Sequence, residues 1–204
     1  MATASYHHGN LRQALLEHGV ELARTGGPDA VVLRDVQRLA GVSNSAAYRH
    51  YADRQALLAA VKTYAMNQLG EAMLERLAAV SNRGSKERRA LNRLQATGQA
   101  YIDFALAEPG LFRTAFAPGN TQPVAYETME PGHHPFQILV GCLDDLVSAG
   151  VLDASRRDGL DEAAWAAVHG AATLFLDGPL VTADAARKQV ITDRLLEVIG
   201  EGIR

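Results

Sequence analysis

The chain of 204 residues has one cysteine, Cys142, which excludes an internal disulfide and any cysteine-based zinc cluster. No apolar run approaches the roughly 20 residues needed to span a bilayer. The N-terminus lacks an apolar segment of signal-peptide type, so a cytoplasmic chain is expected. No alternating β-branched stretch of strand length occurs, while alanine and leucine are abundant and 48% of residues are hydrophobic. An all-helical fold with a sizeable core is therefore expected. Missing too are a Gly-x-Ser-x-Gly elbow, a glycine-rich phosphate loop, His-Glu-x-x-His and Cys-x-x-Cys. Nothing in the sequence arranges His169, Tyr101 or Glu108 for catalysis. No enzyme, cofactor or metal is expected.

A strong positive charge is lacking as well: the formal net charge is −3. Its distribution is uneven. Residues 1–60 carry six arginines against five carboxylates, a net of +1, which leaves −4 on the remainder. A slightly basic head on an acidic body fits a nucleic-acid reader with a separate second domain.

What the head does contain is a corner at residues 33–51. Leu33, Val36 and Ala40 repeat at helical spacing. Gly41 stops that helix, because glycine enters the left-handed C-terminal position without a Cβ penalty. Ser43 suits the N-cap of a second helix, expected over Asn44 to Tyr51. Asn44, Ser45, Tyr48 and Arg49 on it have the reach for base edges and phosphates. Helix, glycine turn and polar second helix form a helix-turn-helix pattern, although such corners also occur away from nucleic acid. Gln37, four before the glycine, is long where a small residue is usual. Either it tilts into solvent or the corner is slightly opened.

The rest of the chain reads as further helices. Asn10 can cap the first, with Leu11, Ala14, Leu15, His18 and Leu22 on one face and Gly26-Gly27-Pro28 as its end. Asp53 caps a fourth, whose apolar positions continue to about residue 80. At ~27 residues it runs ~40 Å, longer than the head needs, and so links head to body. Helices follow over about 86–107, 111–116, 135–149 and 159–177, and a last one from Ala183 capped by Thr182. Residues 117–134 form a long irregular loop, where His133 and His134 read as surface histidines. The last two helices are apolar on more than one face, so a self-complementary four-helix contact across a two-fold axis is expected to bury them.

The segment Ala-Gly-Val-Ser-x-x-x-x-Tyr-Arg-His-Tyr-x-Asp-Arg-x-x-Leu-Leu, Ala40 to Leu58, resembles the DNA-binding domain of the TetR (tetracycline-repressor) family. Tyr6-His7-His8-Gly9-Asn10-Leu11-Arg12 is similar to the lead-in of one branch of it, and the likeness covers roughly residues 6–62. Arg54 stands where the family usually has lysine. Val32 stands where it usually has a serine or threonine that caps the helix and meets phosphate, and valine does neither. Trp165-Ala-Ala-Val-His169-Gly170 resembles the Trp-x-x-x-His-Gly signature of one of the family's C-terminal domains. Trp165 and His169 share a face. A pocket wall with a polar tip and a core tryptophan beside a hydrogen-bonded histidine are both open readings.

The resemblance implies an all-α bacterial regulator of about nine helices. Residues 1–54 would be the helix-turn-helix DNA-binding domain, and 55–204 the ligand-binding and dimerisation domain. A homodimer, joined through its last two helices, would repress from a palindromic double-stranded operator and be released by a small apolar effector. Tyr48, Arg49, His50 and Arg54 are assigned mainly to phosphates. Asn44, Ser45 and Ala46 are assigned to base edges, with Arg34 and Ser43 joining from the preceding helix and the turn. The expected effector lining is Met66, Leu69, Met73, Tyr101, Phe104, Phe112, Phe116, Phe136, Leu139, Trp165 and His169. The competing reading is a helical dimeric small-molecule-binding protein or enzyme with a vestigial corner. Gln37, Val32 and the weak positive charge favour it.

Overall fold

The computed structural model describes residues 11–118 and 132–203. Asn10 and most of the loop expected over 117–134 lie outside the described residues. Among those described, every regular element is helical: α1 Leu11–Gly26, α2 Leu33–Ala40, α3 Asn44–Tyr48, α4 Arg54–Ala78, α5 Lys86–Ala107, α6 Pro109–Ala115, α7 Pro135–Ser148, α8 Leu160–Leu176 and α9 Ala185–Ile203. No described helix is long and apolar enough to cross a membrane.

The chain forms two compact units. Among described residues, the first holds 11–65 with 110–118, and the second holds 66–109 with 132–203. The units thus divide the chain differently from the functional boundary at 54/55. Helix α4 contributes residues 54–65 to one and 66–78 to the other.

In the first unit α1, α2 and α3 pack on one another. The α1 positions Leu11, Leu15, Gly19, Val20 and Ala23 are buried, a stripe of helical period. Leu57 and Val61 of α4 are also fully buried. Asp53 caps α4, its Oδ1 accepting from the Ala56 N–H at 2.8 Å.

In the second unit α5 is central and packs on α7, α8 and α9. Its buried residues, among them Leu94, Gly98, Tyr101, Ile102 and Ala105, lie on several sides, as a helix surrounded by others requires. At Gly98 an added Cβ would stand 2.5 Å from Leu196 Cδ2 and 3.5 Å from Val168 Cγ1. The missing side chain is what lets α9 approach α5. Arg157 joins α7 to α8, donating to Asp144 Oδ1 at 3.1 Å and to Asp161 Oδ2 at 2.5 Å. Arg156 holds the C-terminal end through the Gly202 carbonyl at 2.7 Å.

Three local expectations are corrected. The second helix of the corner ends at Tyr48 rather than Tyr51, and the His50 and Tyr51 N–H groups fold back to the Ala47 carbonyl at 2.9 and 3.0 Å. Asp184, not Thr182, supports the start of α9, with Oδ1 accepting from the Arg187 N–H at 2.7 Å. His134 is no surface loop histidine. It is half-buried at the N-cap of α7, where Nδ1 accepts from the Phe136 N–H at 3.2 Å.

Candidate nucleic-acid interface and ligand region

The corner is set by backbone chemistry. Gly41 is left-handed at φ 65°, ψ 29°. Its N–H donates to the Arg38 carbonyl at 3.3 Å, and the Val42 N–H donates to the Gln37 carbonyl at 3.2 Å. Those two bonds make a Schellman stop, which satisfies orphan carbonyls at the end of α2. Ser43 then caps α3, Oγ accepting from the Ala46 N–H at 3.3 Å. At the other end of α2, Val32 makes no side-chain cap. Gln37 is 6% exposed, so it does not tilt into solvent, and the corner accommodates it.

Helix α3 has a buried side and an open side. Ala47 is fully buried and Tyr51, just beyond the helix, is 2% exposed. Ser43, Asn44, Ser45, Tyr48 and Arg49 are exposed, Ala46 and His50 half-buried, and Arg34 of α2 exposed. The side of α3 that packs is thus small and apolar, and the open side carries hydroxyl, amide, phenol and guanidinium groups. Such groups reach bases and phosphates.

Arg54 does something different from its expected phosphate contact. Its Nε donates to the Val31 carbonyl at 2.8 Å, and its terminal nitrogen to the Pro28 carbonyl at 2.7 Å. It therefore ties the start of α4 to the α1–α2 connection. Arg12 was missed as a positioning residue. It donates to the His50 carbonyl at 3.0 Å and lies 4.9 Å from the Tyr51 ring centroid, while the Tyr51 hydroxyl donates to the Arg12 carbonyl at 3.3 Å. Burial pushes the Tyr51 phenol up, partly offset by the Arg12 charge. A sequence separation of 38 leaves no local pattern from which this clamp could have been found.

In the second unit, rings from three helices meet. Trp165 Nε1 donates to the Tyr101 hydroxyl at 3.2 Å, and that hydroxyl lies 2.8 Å from His169 Nδ1. Phe136 stands edge-on to Trp165 with centroids 5.7 Å apart, and Trp165 to His169 at 6.0 Å. Burial raises the Tyr101 pKa above its ordinary value and lowers that of His169. Trp165, the chain's single tryptophan, keeps 38% exposure. The shared face inferred for Trp165 and His169 thus joins Tyr101, 64 and 68 residues away. Met66, Leu69, Met73, Phe104 and Leu139 are buried in the same unit. Phe112 and Phe116 pair at 5.0 Å within the other. Among the described residues, no three histidine, cysteine, aspartate or glutamate side chains come together to hold a metal.

An exposed, capped helix behind a glycine turn, among described residues whose regular elements are all helical, is the helix-turn-helix arrangement. The model of bacterial regulatory proteins of the tetR family matches residues 15–61. That of the tetracyclin repressor-like C-terminal domain matches residues 94–199, just over half of the chain. The chain belongs to the TetR family of DNA-binding transcription regulators. Among solved structures it is similar to a protein of unknown function from Rhodococcus sp. RHA1, at 28% identity over 98% of this chain and 99% of that one, with a TM-score of 0.78. A tetR-family transcription regulator from Shewanella sp. PV-4 shares the fold at 18% identity over 91% and 95% of the two chains, with a TM-score of 0.61. Another from Marinobacter aquaeolei VT8 does so at 18% identity over 91% and 93%, with a TM-score of 0.58. No curated protein sequence matches the chain.

Proposed function

We propose that the chain is a one-component repressor. It binds a palindromic operator as a homodimer and is released by a small, largely apolar effector. The observation that carries this reading is the open side of α3: Asn44, Ser45, Tyr48 and Arg49 exposed against a buried Ala47. Asn44, Ser45 and Ala46 take base edges. Arg34, Tyr48, Arg49 and His50 take phosphates, and Ser43 presents its end of α3. Arg54 is assigned to holding the head together, because two of its donors already meet backbone carbonyls. A weakly basic head gives modest non-specific affinity, so two heads on one duplex are needed, about 34–36 Å apart or a multiple of that.

The dimer forms through α8 and α9. Leu174, Val190 and Val198 are 43%, 55% and 57% exposed. Exposed apolar residues in a row mark an association face. Nothing stands within 4 Å of a Cβ built at Gly170, so another helix has room to approach α8. The effector site centres on Tyr101, Trp165 and His169 with the apolar residues of α4, α5 and α7 in the second unit. To empty an operator usefully the effector must favour the released form by roughly 10³-fold, about 4 kcal/mol.

A gel shift with the palindrome beside the protein's own gene tests the reading. A sequence-preferring complex that disappears in the Tyr48→Phe, Arg49→Ala double variant, with thermal stability unchanged, supports it. No sequence-preferring binding at ordinary salt, together with turnover of a small molecule, establishes the competing reading of a vestigial corner.

A further inference from the structure

The six arginines of residues 1–60 do not use their charges alike. Arg24 pairs with Glu21 at 3.0 Å and Arg38 with Asp35 at 3.2 Å, while Arg54 has Asp29 at 3.9 Å. Arg34 and Arg49 pair with no carboxylate among the described residues, and both already belong to the proposed DNA face. Arg12 is the third of that kind. It is exposed, and no described carboxylate pairs with it. Residues 1–10 contain no aspartate or glutamate, so the chain just before it brings none either.

Arg12 nevertheless has a fixed place. One terminal nitrogen donates to the His50 carbonyl at 3.0 Å. The guanidinium carbon lies over the Tyr51 ring, 4.9 Å from its centroid. The Tyr51 hydroxyl returns a bond to the Arg12 carbonyl at 3.3 Å, and Tyr51 itself is buried. His50 and Tyr51 follow directly on Arg49, at the end of α3. A guanidinium carries several N–H donors in one plane. Stacking on a ring engages its face, and one carbonyl takes one donor, so most of its edge is left over. A side chain anchored in this way loses less freedom on binding than a loose one. An anchored, unneutralised fork of donors matches a phosphate, which accepts two parallel bonds.

We infer that Arg12, on α1, is a phosphate contact of the reader: held by the His50 carbonyl and the Tyr51 ring, its guanidinium takes a backbone phosphate beside the end of α3. This rests on the DNA reading of the proposed function and deepens it, extending the footprint from α2 and α3 to α1. The contact carries no sequence preference. It adds affinity and salt dependence, and it fixes how the end of α3 sits on the duplex. It also offsets Arg54, two of whose donors are taken by the Val31 and Pro28 carbonyls.

The test uses the full-length protein and two labelled duplexes, the promoter palindrome and a scrambled one of equal length, titrated from about 50 to 200 mM salt. Arg12→Gln removes the charge and keeps an amide donor, whereas Arg12→Lys keeps the charge. Arg12→Gln should weaken binding to both duplexes about ten-fold or more and lower the salt slope by about one for each bound head. Arg12→Lys should return the slope to the wild-type value. A clamp that meets no phosphate gives another pattern: both variants lower the thermal midpoint or the affinity, and both keep the wild-type slope. That pattern overturns the inference, as does an Arg12→Gln protein with wild-type affinity and slope. A second measurement needs no variant. Phenylglyoxal, which caps accessible guanidiniums, followed by peptide mass analysis, should find Arg12 protected by the palindrome, while the exposed Arg83 between α4 and α5 stays reactive. An Arg12 equally reactive with and without duplex overturns the contact. A wild-type protein that binds neither duplex removes the repressor reading and this contact together. A palindrome bound with preference, yet indifferent to residue 12, removes the contact alone.

Discussion

The α2–α3 corner and the outward face of α8 and α9 are held in different ways. At the corner every constraint is local. Gly41 takes a left-handed φ, two backbone bonds close the end of α2, and Ser43 caps α3. On α9, Val190 and Val198 lie more than half exposed. The corner is finished by the chain itself, whereas in the proposed dimer the face is completed by a second copy. Local chemistry fixes the angle of one reader, and in that proposed dimer association fixes the distance between two.

The largest expected effect sharpens that contrast at the face. Val190→Asp with Val198→Asp puts two carboxylates where two protomers would meet. Buried unpaired charges cost several kcal/mol, so dimer affinity should fall roughly a thousand-fold or more. Sedimentation then shows monomers, and operator binding weakens with it, while the monomer keeps its helical content. An intact dimer would break the comparison.

The next effects address the corner. Gly41→Val forces a β-branched residue into left-handed backbone, where nothing stands within 4 Å of the added Cβ. The cost is backbone strain, about 2 kcal/mol, read as a lower denaturation midpoint together with weaker operator binding. Arg54→Ala removes the donors to two part-buried carbonyls and should cost about 1–2 kcal/mol. Arg49→Ala should leave stability within about 0.5 kcal/mol, yet weaken binding to every duplex and reduce the salt slope by about one. An Arg54→Ala variant with unchanged stability would return that residue to the phosphate role.

The smallest expected effect is a pH dependence. Burial lowers the pKa of both His169 and His134. The folded chain therefore binds fewer protons at these groups than the unfolded chain. Their stabilising effect is complete above the unfolded pKa, about 6.5, and is lost as pH falls below it. Thermal midpoints should drop modestly between neutral pH and about 5, and less so in His169→Gln.

What the sequence made legible follows the same divide. Gly41, Ser43 and Asp53 act within four residues of their own positions, and each does what its type suggests. Arg54 looked like a phosphate ligand because nothing near it in sequence reveals carbonyl partners 23 and 26 residues back. Thr182 and Asp184 are both good caps, and the chain's path chose the second. The pairing of Trp165 and His169 on one helix face was readable from their spacing. Their common partner Tyr101 was not, because only tertiary packing brings α5 to α8.

One measurement bears most directly on the central claim: fluorescence anisotropy of the promoter palindrome, with its half-sites at native spacing and again with five base pairs inserted between them. The native duplex should take two protomers, tightly and with strong salt dependence. The inserted duplex, with half a helical turn added, should lose most of that affinity. Equal affinity for both duplexes, or for a scrambled one, would contradict a symmetric pair of readers set by the α2–α3 corner.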